Sequence, residues 1–396
     1  MLRAGVSAWF DAPSQVAGAE LVGRIAQLVD GNGLPDVELR ASGLRVRIGD
    51  SPDPSRADLD LAVAISAAAK DLGLAPVPAA LQTMQFVVDA GDSTAVMSFW
   101  RTVLDYEGVG ADGLEDPLRR DPAFSFRPLD QPRPLRNRIH VDVCRAPEAV
   151  VAIKAKLGQE TYGAYDLTLA DDEGNEVDLV PGDELSDSPG TEDWRVLFGA
   201  MTFYPTTSAD QASRLTAAVA ALADEAGVPV LVDLRPDGVT IDSGKDQQED
   251  DVFGRRLVDL AARIQTAARD LGLSADPTRL RFVQLGIDAV DVPAVQAFWT
   301  TVLGYQHDTR PFLTDIYDPR RLNPVIIFQQ LDASDEARRR QRNRIHLDLV
   351  VPTDQAESHI DAALAAGGRI LSRDPATRCT LADPESNELT ITTHPT

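Results

Sequence analysis

The chain has 396 residues, more than one hydrophobic core usually holds, and this length predicts roughly two to four domains. Its 62 Asp and Glu residues outnumber its 38 Lys and Arg residues, giving a formal net charge of -24 at pH 7. Charge of this sign repels phosphate backbones and anionic membranes, so we expect no nucleic-acid and no membrane partner. We find neither a run of about 18 apolar residues nor a signal-peptide pattern at the start, so we expect a soluble, cytoplasmic protein.

The first segment, residues 1–78, is predicted to fold as a small β-α-β-β-α unit. Apolar Val16, Leu21 and Ile25 recur at helical spacing, and polar and apolar residues alternate on either side of Gly43 as in a hairpin. The predicted elements are a strand over 7–10, a helix over 15–30, hairpin strands over 37–40 and 44–48, and a helix over 58–72.

The second segment, residues 79–182, is predicted to contain two β-α-β-type halves in succession, an order that suits a curled sheet. The predicted elements are a strand over 84–88, a helix ending at 106, strands over 123–127 and around 140, a helix over 147–157, and strands over 165–169 and 176–180. The acidic, Ser- and Gly-containing stretch 183–193 is predicted to be a linker.

The second half of the chain repeats the first, so residues 194–277 and 278–396 are predicted to copy the two preceding segments. The matching stretches are 9–10 with 203–204, 68–74 with 267–273, 98–106 with 297–305, and 136–140 with 342–346. Such repetition predicts two halves that pack as the subunits of a dimer do, and it leaves a homodimer open as well.

One repeated strand carries charged and polar side chains on a single face. Period-two alternation places Arg138, His140 and Asp142 on one face and apolar residues on the other. The second copy repeats this pattern with Arg344, His346 and Asp348. Because such groups are costly to bury unpaired, we interpret the polar face as the lining of a wet cavity. The alternative is a half-exposed edge strand with a solvated polar face.

Three motifs in this order resemble the glyoxalase, bleomycin-resistance and extradiol-dioxygenase superfamily, also called vicinal oxygen chelate. They are Phe-Trp-x-Thr-Val-Leu-x-Tyr, Asn-Arg-Ile-His-x-Asp and Asp-x-Glu-x-Asn-Glu, and all three occur in 79–182 and again in 278–396. The resemblance implies an α+β fold of paired βαβββ modules with curled mixed sheets around a cavity. It also implies a small-molecule ligand and, in the enzymes, a divalent metal held by one residue from each of four strands.

The resemblance implies an incomplete set of metal ligands in each copy. In the first copy the ligand positions fall on Gln85, His140 and Asp178. In the second copy they fall on Gln284 and His346, with Thr390 in place of the carboxylate. A neutral amide is a weak metal donor, so a divalent metal is expected at most in the first copy.

Other polar residues near the ligand positions are candidates for catalysis and for substrate contact. The candidate acid–base groups are His140, His346, Asp142 and Asp348. The candidate substrate-binding residues are Arg138, Arg344, Arg127 and Gln329.

Residues 1–78 and 194–277 resemble pterin-4a-carbinolamine dehydratase, a family with a His-His-Pro motif after its first helix. The corresponding positions here are Gly33-Leu34-Pro35 and Gly227-Val228-Pro229. Because the dehydration needs groups that exchange protons near neutral pH, we expect these segments to have lost the activity and to serve as scaffold.

Two functions follow from this pattern. The first is binding of a small organic molecule in the sheet cavities without a complete metal site, as in bleomycin resistance by sequestration. The alternative is a lyase, isomerase or dioxygenase in 79–182 that uses a metal or acid–base chemistry.

Overall fold

The structure is a computed structural model, and it describes residues 5–29, 33–51, 53–250, 252–374 and 378–393. These residues form an α+β fold built on three β-sheets, which confirms the predicted fold class. Within the described ranges, no helix is both long enough and apolar enough to cross a membrane.

The first segment follows its sequence pattern closely. It contains β1 (Val6–Asp11), α1 (Gln15–Leu28), β2 (Asp36–Arg40), β3 (Gly43–Ile48), α2 (Arg56–Asp71) and β4 (Ala75–Pro76). Helix α1 begins after Ser14, whose hydroxyl accepts a hydrogen bond from the Ala17 amide, and α2 begins with a capping box of Ser55 and Asp58. The predicted end of α1 at Asp30 lies outside the described residues.

The second segment adds two strands that the sequence did not predict. It contains β5 (Thr83–Ala90), α3 (Ser93–Leu104), β6 (Glu107–Val109), β7 (Gly113–Glu115), β8 (Phe124–Pro128), β9 (Ile139–Arg145), α4 (Pro147–Leu157), β10 (Thr168–Ala170) and β11 (Glu176–Pro181). The additional strands β6 and β7 form a short hairpin at the edge of a sheet.

The third segment repeats the first, and the predicted acidic linker contributes a strand to it. This part contains β12 (Asp183–Glu184), β13 (Arg195–Leu197), β14 (Gly199–Pro205), α5 (Ala209–Ala226), β15 (Leu231–Arg235), β16 (Gly238–Asp242) and α6 (Phe253–Asp270). Strand β12 pairs with β13, so the linker is partly ordered sheet.

The last segment repeats the second with longer connections. It contains β17 (Arg281–Ala289), α7 (Val292–Leu303), β18 (Gln306–His307), β19 (Ile316–Tyr317), β20 (Ile326–Gln330), α8 (Glu336–Arg340), β21 (Ile345–Val351), α9 (Ala356–Ala365), β22 (Arg369–Asp374), β23 (Arg378–Ala382) and β24 (Glu388–Thr393).

The two small α+β segments share one antiparallel sheet of nine strands. Its order is β12-β13-β14-β16-β15-β2-β3-β1-β4, and the two halves meet where β2 pairs with β15. Residues of α1, α2, α5 and α6 form one hydrophobic core with this sheet. The two segments therefore share one sheet and one hydrophobic core. Their resemblance to a pterin dehydratase stays a prediction.

The other two sheets exchange strands between the halves of the chain. The seven-stranded sheet has the order β10-β11-β9-β17-β20-β19-β18, and the eight-stranded sheet has the order β22-β23-β24-β21-β5-β8-β7-β6. The seven-stranded sheet combines three strands of the first copy with four of the second, and the eight-stranded sheet combines four strands of each. The halves meet at the antiparallel pairs β9–β17 and β21–β5.

This strand exchange excludes one sequence interpretation. Strand β9 lies between β11 and β17, and β21 lies between β24 and β5, so neither is an edge strand. All residues of both strands are buried. The alternative of a half-exposed edge strand is therefore wrong.

Candidate functional site

Four polar side chains meet on one face of the seven-stranded sheet, and we call them the His140 cluster: His140, Asp142, Asp178 and Gln284. Asp142 on β9 lies opposite Asp178 on β11 and opposite Gln284 on β17, so the three side chains share a face. His140 is two residues before Asp142 and therefore points to that face as well. Sequence reasoning paired His140 with Gln85, but Gln85 lies on β5 in the other sheet.

Hydrogen bonds hold the carboxylates of the His140 cluster in place. The Gln284 Nε2 group donates to Asp142 Oδ2 over 2.8 Å, and the Thr168 hydroxyl donates to Asp178 Oδ1 over 2.6 Å. His140 Nε2 lies 3.4 Å from Asp142 Oδ1. Asp142 Oδ1 and Gln284 Oε1 are buried and have no hydrogen-bond partner among the described residues. The cluster therefore presents two oxygen acceptors that nothing in the described chain satisfies.

A glycine lets the imidazole of His140 approach the neighbouring strand. Gly286 lies directly opposite His140, and a Cβ atom placed on Gly286 would be 2.2 Å from His140 Cε1. In the other sheet the residue opposite His346 is Val87. The residue opposite the histidine is thus a glycine in one sheet and a valine in the other, so the surroundings of the two histidines differ.

Burial controls the protonation of Asp142. Its carboxyl has a pKa above the usual value because burial disfavours the charged form, and the nearby Asp178 adds to this effect. His140 and the Gln284 hydrogen bond act in the opposite direction. The raised pKa of Asp142 shows that the effect of burial exceeds that of His140 and the Gln284 hydrogen bond.

The eight-stranded sheet carries a second set, which we call the His346 cluster: Gln85, Asp89, Arg127, His346 and Asp348. Asp348 on β21 lies opposite Gln85 on β5, and Asp89 lies beside Arg127 of β8. His346 Nε2 is 3.2 Å from Asp89 Oδ1, whereas the buried His346 Nδ1 has no partner among the described residues.

Ion pairs occupy the carboxylates of the His346 cluster. Arg127 pairs with Asp348, and Arg133 Nη1 donates to Asp89 Oδ2 over 2.8 Å. Burial acts to raise the pKa of the Asp89 carboxyl, but His346 and Arg133 outweigh it and hold this pKa below its usual value. Each carboxylate of this set is therefore paired with a guanidinium group, although Asp348 Oδ1 has no hydrogen-bond partner among the described residues.

The two arginines predicted to bind substrate are tied to the backbone. The Arg138 guanidinium donates to the carbonyl oxygens of Arg338 and Gln341, over 2.8 Å each. The Arg344 guanidinium donates to the carbonyl oxygens of Leu135 and Gly174 over 3.1 and 3.0 Å. Each arginine is 1% exposed. These contacts join the two halves and give no support to substrate binding by either side chain.

The remaining candidates lie at the borders of the two clusters. Gln329 is exposed on β20, beside Asp288 of β17, and Arg127 is partly exposed. Thr390 lies opposite Asp348, the position that Asp178 takes opposite Asp142, and its hydroxyl is 3.2 Å from that of Thr380.

Sequence reasoning missed three residues of these sites: Asp89, Thr168 and Gly286. Asp89 and Thr168 gave no signal because their partners, His346 and Asp178, are brought to them by strand pairing. The one available signal was at Gly286, an isolated glycine within a strand pattern, which often marks a close approach of another group.

The two clusters differ in their fit to a divalent cation. The ligand atoms of His140, Asp142 and Asp178 all lie within 4.8 Å of one another. Ligands on opposite sides of a first-row divalent ion, with bonds of about 2.0–2.2 Å, are separated by about 4.0–4.4 Å, so a small inward movement of these side chains would let them bind one ion. One imidazole and two carboxylates suit Mn²⁺ or Fe²⁺, and the unsatisfied Gln284 Oε1 provides a further donor. The His346 cluster does not fit, because Arg127 pairs with Asp348, Arg133 pairs with Asp89, and Thr390 stands at the position that corresponds to Asp178.

A family model described as the glyoxalase-like domain matches the chain twice, over residues 85–180 and 284–392. Both matches begin at a strand with a glutamine of the clusters, Gln85 or Gln284, and end in the last strand of the corresponding copy. A comparison with proteins of curated function gives no significant match.

Several solved structures resemble parts of the fold at low sequence identity. Glyoxalase I from Zea mays is 9% identical with a TM-score of 0.37, and the similarity covers 79% of this chain and 93% of that chain. A glyoxalase/bleomycin resistance protein/dioxygenase family enzyme from Burkholderia phytofirmans is 19% identical with a TM-score of 0.22, covering 28% of this chain and 95% of that chain. A mutant of the fosfomycin resistance protein FosX from Listeria monocytogenes, in complex with Mn(II) and a phosphonic acid, is 9% identical with a TM-score of 0.22, covering 27% and 84%.

Proposed function

Because the chain belongs to the glyoxalase-like domain family, whose model matches more than half of it, we propose that the His140 cluster is the centre of a metal-dependent enzyme. Its substrate is a small organic molecule with neighbouring oxygen atoms, and the reaction is of the lyase, isomerase or dioxygenase type. The observation that carries this proposal is the convergence of His140, Asp142 and Asp178 within 4.8 Å.

Some residues of the chain would hold a metal ion, and another would exchange a proton with the substrate. His140, Asp142 and Asp178 would hold a divalent ion, and the Gln284 carbonyl oxygen is a fourth donor. A bound ion of this kind polarises substrate oxygens and stabilises the negative charge that develops on them. Gln284 and Thr168 fix the two carboxylates by hydrogen bonds and so keep the ligand atoms oriented.

Exchange of a proton with the substrate needs a group beside the ligands. Lys245 contributes to the electrostatic surroundings of Asp142 and pairs with Asp315, whose pKa burial raises above its usual value. A carboxyl of raised pKa next to an ammonium group can take up and return a proton nearer to neutral pH than an exposed one. We propose that Asp315 has this role.

Titration with Mn²⁺ tests the site. We expect the chain, after treatment with a chelator and its removal, to bind one Mn²⁺ ion in calorimetry and in the loss of the free-ion paramagnetic resonance signal. Asp178→Asn removes a charged ligand and should weaken binding at least about tenfold. The matched control is Thr390→Ala at the corresponding position of the other sheet, which should bind Mn²⁺ as the unaltered chain does. Equal affinity in both variants would remove the basis of the proposal.

A second function, binding without a metal, is favoured at the other sheet by the pairing of Arg127 with Asp348. The Arg127 side chain is 32% exposed, so this guanidinium is accessible to a polar ligand. We propose that the His346 cluster binds small molecules without converting them. A ligand screen by thermal shift in the presence of EDTA tests this, since a bound ligand raises the melting temperature by mass action. Ligands whose shift disappears in Arg127→Leu support it, and shifts that all require Mn²⁺ contradict it.

A further inference from the structure

A cavity of about 440 Å³ lies where the nine-stranded sheet meets the strand ends of the eight-stranded sheet. Strands β1 and β3 provide one wall through Ser7, Arg45 and Arg47. The ends of β5 and β21 provide the other wall, including Thr83 and Val351. Its lining includes no residue of the His140 cluster or of the His346 cluster. The volume is that of a pocket for a small organic ligand.

The two walls of this cavity differ in chemistry. On the strand-end side the lining is mainly apolar, with Leu81, Met84, Pro122 and Val351. On the opposite side it is rich in guanidinium groups, from Arg45, Arg47, Arg119 and Arg120. A ligand that satisfies both walls has an apolar body and a negatively charged end.

The cavity lining contains four arginines, Arg45, Arg47, Arg119 and Arg120, and four acidic residues, Asp50, Glu115, Asp116 and Asp121. Ion pairs connect six arginines, Arg40, Arg45, Arg47, Arg119, Arg120 and Arg235, with five acids, Asp36, Glu38, Asp50, Asp233 and Asp242. Burial, and then the neighbouring Asp116, raise the pKa of Asp121 in the cavity lining to about 8, so this carboxyl adds little negative charge at neutral pH. The Nε atoms of Arg47 and Arg119 are buried and have no hydrogen-bond partner among the described residues, so both guanidinium groups can donate to an anionic ligand.

The corresponding place in the other half of the chain holds a much smaller cavity, of about 70 Å³, whose lining includes Phe282 and Val283. Ser7 and Thr83 line the cavity, whereas the residues at the matching positions are Met201 and Phe282. Met201 belongs to a hydrophobic cluster with Leu197 and Phe203, against which Phe282 packs. The rings of Phe198 and Phe282 are 5.7 Å apart in an edge-to-face arrangement. The cavity is thus larger in the half that has small polar residues at these positions than in the half that has bulky apolar ones.

We propose that this cavity is a second ligand site, which binds a small organic anion with an apolar body and a carboxylate or phosphate group. The anionic group lies against the guanidinium groups of Arg47 and Arg119, and the body lies against the apolar strand ends. The site does not depend on a metal and is independent of the reaction proposed for the His140 cluster.

Calorimetric titration with phenyl phosphate tests the proposal, carried out in EDTA so that no metal binds the phosphate. We expect saturable binding, and at least about tenfold weaker binding of benzyl alcohol, which keeps the ring but lacks the charge. Thr83→Phe introduces the side chain found at the matching position of the other half and should abolish binding by filling the cavity. Val63→Phe is the control, because it adds a similar ring at an exposed position of α2 and should leave binding unchanged. Circular dichroism and the melting temperature show that both variants are folded.

Three results would overturn the proposal. The first is the absence of saturable phenyl phosphate binding, and the second is equal affinity for benzyl alcohol. The third is binding that persists in Thr83→Phe but disappears in Arg127→Leu, which would place the anion at the His346 cluster. Benzoate in place of phenyl phosphate then distinguishes the two anion classes: tighter binding of one identifies the natural head group.

Discussion

Replacement of Gly286 by alanine is the sharpest test of the geometry around His140. The new Cβ atom would be 2.2 Å from His140 Cε1, 2.3 Å from Nε2 and 2.9 Å from Nδ1. Real Cβ contacts are never so short, so the imidazole has to leave its place. The ring is 5% exposed, so its displacement disturbs the side chains packed around it.

Two opposing effects set the size of the change in stability. An alanine in a strand restricts the unfolded chain more than a glycine does, which stabilises the fold by about 0.5–1 kcal/mol. Overpacking a buried site costs about 1–3 kcal/mol. We therefore expect the free energy of unfolding, measured by urea denaturation, to fall by up to about 2.5 kcal/mol. Displacement of the ring should also weaken Mn²⁺ binding at least about tenfold.

Gly108→Ala provides the matched control. Gly108 lies in β6 with no atom within 4 Å of its Cβ position, so the same chemical change meets no obstacle there. This variant should be as stable as the unaltered chain or slightly more stable. If Gly286→Ala were equally stable, His140 would not occupy the position described. Unchanged Mn²⁺ affinity with reduced stability would keep the packing argument and refute the role of His140 as a ligand.

Three further predictions concern stability and are measured by urea denaturation. Asp121 has a folded-state pKa of about 8 against 3.8 for the ordinary group, so the folded chain holds a proton that the unfolded chain releases. The free energy of unfolding should therefore fall between about pH 4 and pH 8, by up to about 1.4 kcal/mol per pH unit, and Asp121→Asn should reduce this slope. Trp100→Phe and Trp299→Phe should each lower the free energy of unfolding by about 2–4 kcal/mol, because each buried indole donates to an aspartate over 3.0 Å. The two losses should be similar, and clearly unequal losses would contradict the equivalence of the two tryptophans. Asn137→Ala should cost about 1–3 kcal/mol because it leaves the buried Arg344 amide without its acceptor, and no loss would show that this contact between the halves is dispensable.

The sequence predicted the helices and strands of this fold better than it predicted which strands pair with each other. Alternation in β9 and β21 correctly assigned His140 and His346 to the polar faces, since the period of two follows from strand geometry alone. The same alternation carries no information about which strand pairs with which. The sequence therefore grouped Gln85 with His140, although strand exchange places Gln85 opposite Asp348.

The contacts of long side chains were harder to predict from the sequence than the strand faces on which they lie. Arg138 begins a polar pattern and looked like a ligand-binding group, but its guanidinium reaches carbonyl oxygens in the segment before β21. Those acceptors are about 200 residues away along the chain, and only the folded structure brings them near. The hairpin of β6 and β7 was missed for a different reason, since each strand has three residues and is too short for a periodic signal.

The exchange of strands between the halves also determines what a separated half would do. Alone, the first half would expose β5 and β9 as open edges, each with an apolar side that needs cover. A second copy of the same half offers the matching edges, so β9 of one molecule would pair with β5 of the other in a symmetric dimer. In that dimer Gln85 would stand beside His140 and Asp178, the combination that motif resemblance alone suggests. The covalent chain separates these residues and so permits its two faces to acquire different chemistry.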